Sequence, residues 1–380
     1  MEFKIQSEEL QQPLQSIYGI ISNNNAVPIL SNFLLELRDG VLSITASDTE
    51  TSVTTKILLS DTDITNAINI AIPAKILYDI VKSIKQSELR FVINVDNYGV
   101  EIFSGEGKYK IAGVSADEYP KFADIESIYT TILPSSLLFN AISKTTISAG
   151  NDDMRPQMTG VLFEQINNDI AFVGTDARKL SKFSINGVAD TQTSSIILPK
   201  KPLNLIKNII GAYKDDVEVI ISYNIKNATF VFCNYTISCR LIDGKYPNYD
   251  AAVPKDNPNK LVVDKNDLLT SLKRVLIFAN QFTQQIRVKL NANQLELSSE
   301  DVDLSNMAKE KIECDYTGGD LEIGFNAKYL IEMLSNIHTE SVLMEMSQPN
   351  RACILHPFDI SSGEVIKDYF MLVMPVMLTK

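Results

Sequence analysis

The sequence predicts an α+β chain made of three copies of one domain, and three sets of recurring residues predict it. The segments INIAIPAKILYDIVKSI, SSIILPKKPLNLIKNII and LEIGFNAKYLIEMLSNI share a short apolar strand, a break at Pro73, Pro199 or Asn326, and leucine at 77, 203 and 330. Asp48, Asp176 and Asp301 each follow an alternating strand, and Pro120, Pro247 and Pro375 each follow a tyrosine or methionine. All three sets repeat every 125 to 128 residues, so 380 residues divide into domains at 1–125, 126–254 and 255–380. The polar stretch Pro254–Lys260, rich in turn residues, marks the second boundary.

Within each copy the elements follow in the same order. A strand opens it (EFKIQ, YTTILP, KLVVD), and an amphipathic helix comes next. Its apolar stripe is Leu10, Leu14, Ile17 and Ile21 in the first copy and Leu268, Leu272, Val275 and Ala279 in the third. Two alternating strands follow, with Asp39-Gly40 as a hairpin turn between them. A further strand, the second helix and three more strands complete the copy, giving a mostly antiparallel sheet layer with two helices on one face. Helices are expected over 7–21, 73–86, 134–148, 199–214, 264–280 and 326–338.

Composition narrows the function classes. A hydrophobic fraction of 45% is ample for folded cores. Cys233, Cys239, Cys314 and Cys353 form no CxxC pair and read as reduced, mostly buried small hydrophobes. No run approaches the roughly 20 apolar residues of a membrane span, and MEFKIQSEEL has no signal-peptide pattern. A cytoplasmic protein without a membrane partner is expected.

The net charge of −12 argues against nucleic acid only as a sum. Sorted by element, the six predicted helices hold 12 basic and 6 acidic residues, so they carry positive charge on an acidic chain. The basic residues cluster at Lys75, Lys82 and Lys85, at Lys200, Lys201 and Lys207, and at Lys273 and Arg274, with Lys144 and Arg155 between. Six helices at about 10 Å spacing around a ring leave a hole of about 9 Å, too small for a duplex, whereas twelve leave roughly 28 Å. A two-chain ring clears double-stranded DNA and a one-chain ring does not.

These residues resemble the bacterial DNA sliding clamp family, the beta subunits of the DNA polymerase III holoenzyme, over the whole chain. The resemblance rests on Pro28-Ile29-Leu30, Arg155-Pro156 before Gly160-Val-Leu-Phe-Glu164, Thr175-Asp176, Leu241-Ile-Asp-Gly-Lys-Tyr-Pro247, Gly324-Phe325-Asn326 and Met374-Pro375, in that order and spacing. It implies a head-to-tail homodimer, a six-domain ring with helices inside. Such a ring encircles duplex DNA without sequence preference and tethers the replicative polymerase, the clamp loader and repair proteins through linear motifs. It implies no cofactor and no catalysis.

By the same resemblance a partner-peptide cleft is expected at Met158, Thr175, Ala177, Leu180, Pro247, Val373, Met374, Pro375, Val376 and Met377. The apolar C-terminal MLVMPVML suits either such a surface or a last core strand. The dimer contact is expected to join the edge strand GKYKIAGV, through Tyr109 and Ile111, to Ile277 and Phe278 of the other subunit. The chain departs from the family pattern at Ala177-Arg178-Lys179-Leu180, often Gly-His-Arg-Leu, at Met377, often basic, and at Ala251 and Ala252, often larger. Asn24 stands at a loop position that is often arginine. These departures bear on peptide preference and on one DNA contact.

No catalytic constellation is legible. His338 and His356 lack metal-ligand spacing and read as surface or loop residues, and GxSxG, GxxxxGK[ST] and GxGxxG are absent. Gly105-Glu-Gly107 reads as a hairpin turn, Asp152-Asp153 as a solvated loop, and Asp48, Asp176 and Asp301 as structural turn residues. Two other readings remain at this point. A scaffold binding only proteins predicts that neutralising Lys82, Lys85, Lys200 and Lys201 changes nothing. An enzyme with an unrecognised site predicts an activity that depends on His338 or His356.

Overall fold

Helical spacing of apolar residues produces six α-helices in the computed structural model, which describes residues 1–21, 27–59, 67–120, 122, 126–188, 193–292 and 294–378. They are α1 (Ser7–Tyr18), α2 (Ala74–Ser83), α3 (Ser135–Thr145), α4 (Lys200–Ile210), α5 (Lys265–Leu276) and α6 (Ala327–Leu334). Each ends several residues before its expected limit, because the apolar stripe continues into turns or, after α3, into the 3-10 turn Thr146–Ser148. Leu10, Leu14 and Ile17 of α1 and Leu268, Leu272 and Val275 of α5 are buried as the periodicity requires. Local capping sets the starts. The Asp264 side chain accepts from the Asp267 amide at 2.9 Å, and Asn326 accepts from the amides of Lys328 and Tyr329 at 3.0 and 3.4 Å.

The order strand, helix, four strands, helix, three strands holds in the second repeat; the first adds the two-residue strand Val114–Ser115 at its end, and the third adds the short strands Asp315–Thr317 and Glu364–Val365. Asp39 and Gly40 both have positive φ, the backbone that a two-residue hairpin turn demands. The strands pair antiparallel throughout the described residues, but each repeat's layer is divided between two sheets. One compact unit comprises residues 1–139 and 201–241. It holds a four-stranded sheet, from Glu2–Gln6 to Gly107–Ala112, and a nine-stranded sheet. The latter fuses the first two repeats where Thr51–Leu58 pairs with Tyr235–Arg240. The second unit, 140–200 and 242–380, holds a ten-stranded sheet in which Lys179–Ile185 pairs with Tyr369–Val373, fusing the second and third repeats. Its four-stranded sheet runs from Asn306–Glu313 to Leu321–Asn326. The compact units therefore cut across the sequence repeats, because hydrogen-bonded sheets continue over the repeat boundaries.

Candidate functional site

The recurrent aspartates build three equivalent turns. Asp48 accepts from the amides of Glu50 and Thr51 at 2.8 and 2.6 Å, and Asp176 from those of Arg178 and Lys179 at 2.8 Å each. Asp301 accepts from Asp303 and Leu304 at 3.2 and 3.4 Å. Each carboxylate satisfies amides at a strand end, which is the structural role their spacing suggests.

In the second unit this turn sits beside an apolar cluster. Leu162, Val173, Leu180, Ile197, Tyr246, Tyr249, Ala352 and Leu372 are buried together, with Ile242, Val253 and Phe370 packed at the margin. The Tyr246 hydroxyl anchors the corner by donating to the Val173 carbonyl at 3.0 Å, which brings the adjacent Pro247 to the cluster. Leu180 pairs with Leu372 across the seam, and Thr175 with Leu180 across the neighbouring ladder, so all three lie on one face. Past the strand, the Met374 amide donates to the Arg178 carbonyl at 2.8 Å and the Val376 amide to Gly324 at 2.9 Å. The chain therefore does both things that its apolar C-terminus allows. Tyr369–Val373 completes a sheet, and Met374 (37% exposed) and Met377 (78% exposed) remain at the surface.

The expected cleft residues divide accordingly. Leu180 and Thr175 form buried floor, and Met158, Pro247, Pro375 and Val376 are half-buried. Ala177 is exposed with φ 72°, and Ala251 and Ala252 are exposed in a short 3-10 turn. Val373 pairs with Lys179 on the opposite face from Leu372 and is 0% exposed, so its side chain is packed in the core. Tyr249, Phe370 and Leu372 belong to the apolar cluster but do not stand out in the sequence; the one available signal is the second tyrosine three residues after Tyr246.

Beside Met158, a cavity of about 700 Å³ is lined by Asn151, Lys179, Lys200, Tyr329 and Glu332. The Lys179 ammonium, almost buried, donates to the Ile147 carbonyl at 2.7 Å, pairs with Glu332 of α6, and lies 5.3 Å over the Tyr329 ring. Lys200 donates to the carbonyl of Gly150 at 2.5 Å and to the Asn151 side chain. Burial lowers the Lys200 pKa, and the nearby charge of Lys179 adds to that.

The basic helical layer is present but partly committed. Lys75, Lys82 and Lys273 are exposed on helices, Lys85 is exposed just past α2, and Lys207 is half-buried; none makes an ion pair among the described residues, although the Lys82 ammonium lies 5.6 Å over the Tyr78 ring. The other five positions expected to face DNA are engaged within the chain. Lys144 lies 4.5 and 5.0 Å over the rings of Phe183 and Tyr369, where burial lowers its pKa against the opposing pull of Asp368. Arg155 bonds Asp152 at 2.9 Å, Lys201 pairs with Asp48, and Lys200 holds its loop. Arg274 grips Glu310 through two bonds of 2.7 and 2.6 Å. Each of those five cations thus has a partner within the chain, and Asn24 lies outside the described residues.

Among the sheet edges of the described residues are Gly107–Ala112 and Asn306–Glu313, each paired on one side only; Glu2–Gln6 and Leu321–Asn326 form the opposite edges of the same two four-stranded sheets. On the first, Tyr109 is half-buried, whereas Ile111 is only 4% exposed and faces the unit's own core. Ile277 and Phe278 are 76% and 40% exposed just after α5, and Phe282 is 95% exposed.

Among the described residues no group of three His, Cys, Asp or Glu side chains is placed to hold a metal. Asp152 is exposed in its loop, and Gly105 makes a hairpin with φ 53°. His338 is exposed, but His356 is a half-buried strand residue, not a loop residue. The cysteines are free, and Cys233 is exposed at a hairpin where a buried residue was expected. No helix among the described residues is long and apolar enough to cross a membrane.

Comparison with known proteins matches this arrangement to one family. Models of the DNA polymerase III beta subunit match its N-terminal domain at residues 1–123, its central domain at 132–248 and its C-terminal domain at 250–367. The beta sliding clamp of Haemophilus influenzae is 29% identical over 368 residues, covering 96% of this chain and 98% of that protein. The Escherichia coli K12 beta sliding clamp is 26% identical, covering 91% and 93%. A crystal structure of a Pseudomonas aeruginosa sliding clamp, DNA polymerase III subunit beta bound to griselimycin, superposes with a TM-score of 0.92 at 26% identity, with both chains fully covered.

Proposed function

Because the chain belongs to the DNA polymerase III beta subunit family and is a DNA sliding clamp, a processivity factor and not an enzyme, we propose that it works as a head-to-tail homodimeric ring around duplex DNA. Two of the sheet edges among the described residues, one in each four-stranded sheet, support this reading. An exposed edge invites pairing with another chain, and Gly107–Ala112 of one protomer against Asn306–Glu313 of the next consumes both edges and closes after two chains. Tyr109, Ile277 and Phe278 supply apolar contact around that junction.

The lysines left free on α2, α4 and α5 hold the duplex through phosphates and water. Such contacts carry no sequence information, so the ring is retained by topology while sliding remains cheap. The cleft around Leu180, Pro247, Met374 and Met377 takes short linear motifs of the polymerase, the clamp loader and repair proteins. Its thioether rim adapts to several side chains. The domains divide near 125 and 254, and the particle acts in the cytoplasm.

Loading the protein on nicked circular DNA with a clamp loader and then linearising the circle should release it. Retention on open linear DNA would sink the ring. A solution mass of about 85 kDa, twice 42.3 kDa, is expected, and a stable monomer would count against edge pairing.

A further inference from the structure

The repeat that builds the cleft in the second unit builds a second groove at the equivalent place in the first. Met374 donates its amide to the Arg178 carbonyl at 2.8 Å just after the Asp176 turn; Arg240 donates to the Glu50 carbonyl at 2.8 Å just after the Asp48 turn. The seam registers agree, with Val373 opposite Lys179 and Cys239 opposite Thr51, each three residues beyond its turn aspartate. Tyr119 donates to the Thr45 carbonyl at 3.3 Å as Tyr246 does to Val173, so Pro120 occupies the place of Pro247. Leu30, in the 3-10 turn Pro28–Ser31, stands where Met158 stands in Pro156–Met158. The result is a cavity of about 340 Å³ within the first unit, lined by Leu30, Asp48, Thr49, Pro120, Asn227 and Arg240.

Its chemistry differs from that of the cleft at three equivalent positions. Thr49, Asn227 and Arg240 replace Ala177, Ala352 and Met374, so one end is apolar at exposed Val27 and Pro120, over buried Leu30, and the other is polar and cationic. Asp48 is already satisfied by two amides and Lys201. Arg240 has only Glu50, at 3.6 Å, in a pair whose side chains are 66% and 55% exposed. Such an exposed pair is worth little, and a carboxylate meeting the guanidinium fork directly makes a better bond.

We propose that this groove is a second peptide-docking site, for a short linear segment with a branched apolar side chain against Val27 and Pro120 and a carboxylate on Arg240. It differs from the C-terminal cleft in requiring an acidic residue. The proposal extends the cleft reading to an equivalent seam, but its test separates the two.

The probe is a pentapeptide, Ser-photoleucine-Asp-Ser-Gly, and its Asn counterpart, photocrosslinked to the full-length protein and mapped by mass spectrometry. Adducts within 27–56 or 227–240 are expected roughly fivefold more often with the Asp probe, the size of one exposed charge-assisted contact. Arg240→Met should erase that preference and Arg240→Lys should keep part of it. No adducts there, or equal labelling by both probes, overturns the proposal. Labelling at 369–378 reports on the cleft separately: its absence with first-unit labelling intact would sink the cleft reading and leave this one standing.

Discussion

The Lys200 ammonium, on the first residue of α4, lies 2.5 Å from the carbonyl oxygen of Gly150. It also reaches Asn151, and the Gly150 amide donates to the Met158 carbonyl at 2.7 Å, so one lysine fixes the loop bonded to Met158, a residue of the proposed cleft. A hydrogen bond to a charged group contributes about 1.5–3 kcal/mol when buried, and partial exposure here reduces that to about 1 kcal/mol. Lys200→Met should therefore weaken a cleft-binding peptide about fivefold while leaving the salt dependence of DNA binding unchanged. Anisotropy titrations with labelled peptide and labelled duplex check both. A fall in salt slope with peptide affinity intact would return Lys200 to the DNA layer.

The free and committed cations make opposite predictions in the same assay. Removing one cation that neutralises a phosphate lowers the slope of log K against log salt by about 0.9. Lys75→Ala and Lys273→Ala should each reduce it by up to that amount. Arg274→Ala and Lys144→Met should leave it unchanged, since Glu310 and the rings of Phe183 and Tyr369 already hold those cations. Equal slopes for all four variants would mean that the internal partners are exchanged for phosphate when DNA arrives.

The cleft rim and its underside separate by readout. Met374→Ala and Met377→Ala remove exposed thioethers and should weaken peptide binding by about 1 kcal/mol each with little change in Tm. Val373→Ala should do the reverse, costing about 1–3 kcal/mol of stability through the cavity it leaves. Chemical denaturation alongside peptide titration distinguishes them, and a purely affinity-directed effect at Val373 would contradict its burial.

What was legible in the sequence was whatever repeats or alternates locally. The apolar stripes of α1 and α5, the Asp39-Gly40 turn and the three aspartate turns each depend on residues a few positions apart. Parity across a seam is another matter. Whether Val373 or Leu372 faces the cleft depends on register with Lys179–Ile185, nearly 200 residues away, and a slip of one residue inverts it. The partner of Arg274, Glu310, arrives from a strand whose exposed and half-exposed residues show no apolar face. That same polar strand is a sheet edge, so neither the ion pair nor the edge had a hydrophobic signal.

Edge pairing predicts which substitutions split the dimer without unfolding the chain. Ile277→Asp with Phe278→Asp places charge on side chains already 76% and 40% exposed, so each protomer should fold normally. Sedimentation should show the mass fall from about 85 to 42.3 kDa. Ile111→Asp instead buries an unpaired carboxylate at a position 4% exposed and should lower Tm sharply. An unchanged mass for the double variant would remove Ile277 and Phe278 from the interface.

His356 gives a pH dependence with a definite sign. It lies in Cys353–Asp359 beside Phe370, with Nδ1 buried and lacking a hydrogen-bond partner, and Nε2 3.9 Å from Glu345. Burial lowers its pKa below the ordinary 6.5; Lys260 pushes the same way, while Glu345 opposes both. The folded chain thus binds a proton less readily than the unfolded one. The stability associated with neutral His356 is present above 6.5 and is lost as pH falls through the depressed folded value. Urea midpoints should therefore drop on going from about pH 7 to pH 5. His356→Gln should flatten that part of the profile, because its amide cannot take up a proton. A variant whose pH profile parallels the parent's would show that Glu345 compensates the imidazolium fully.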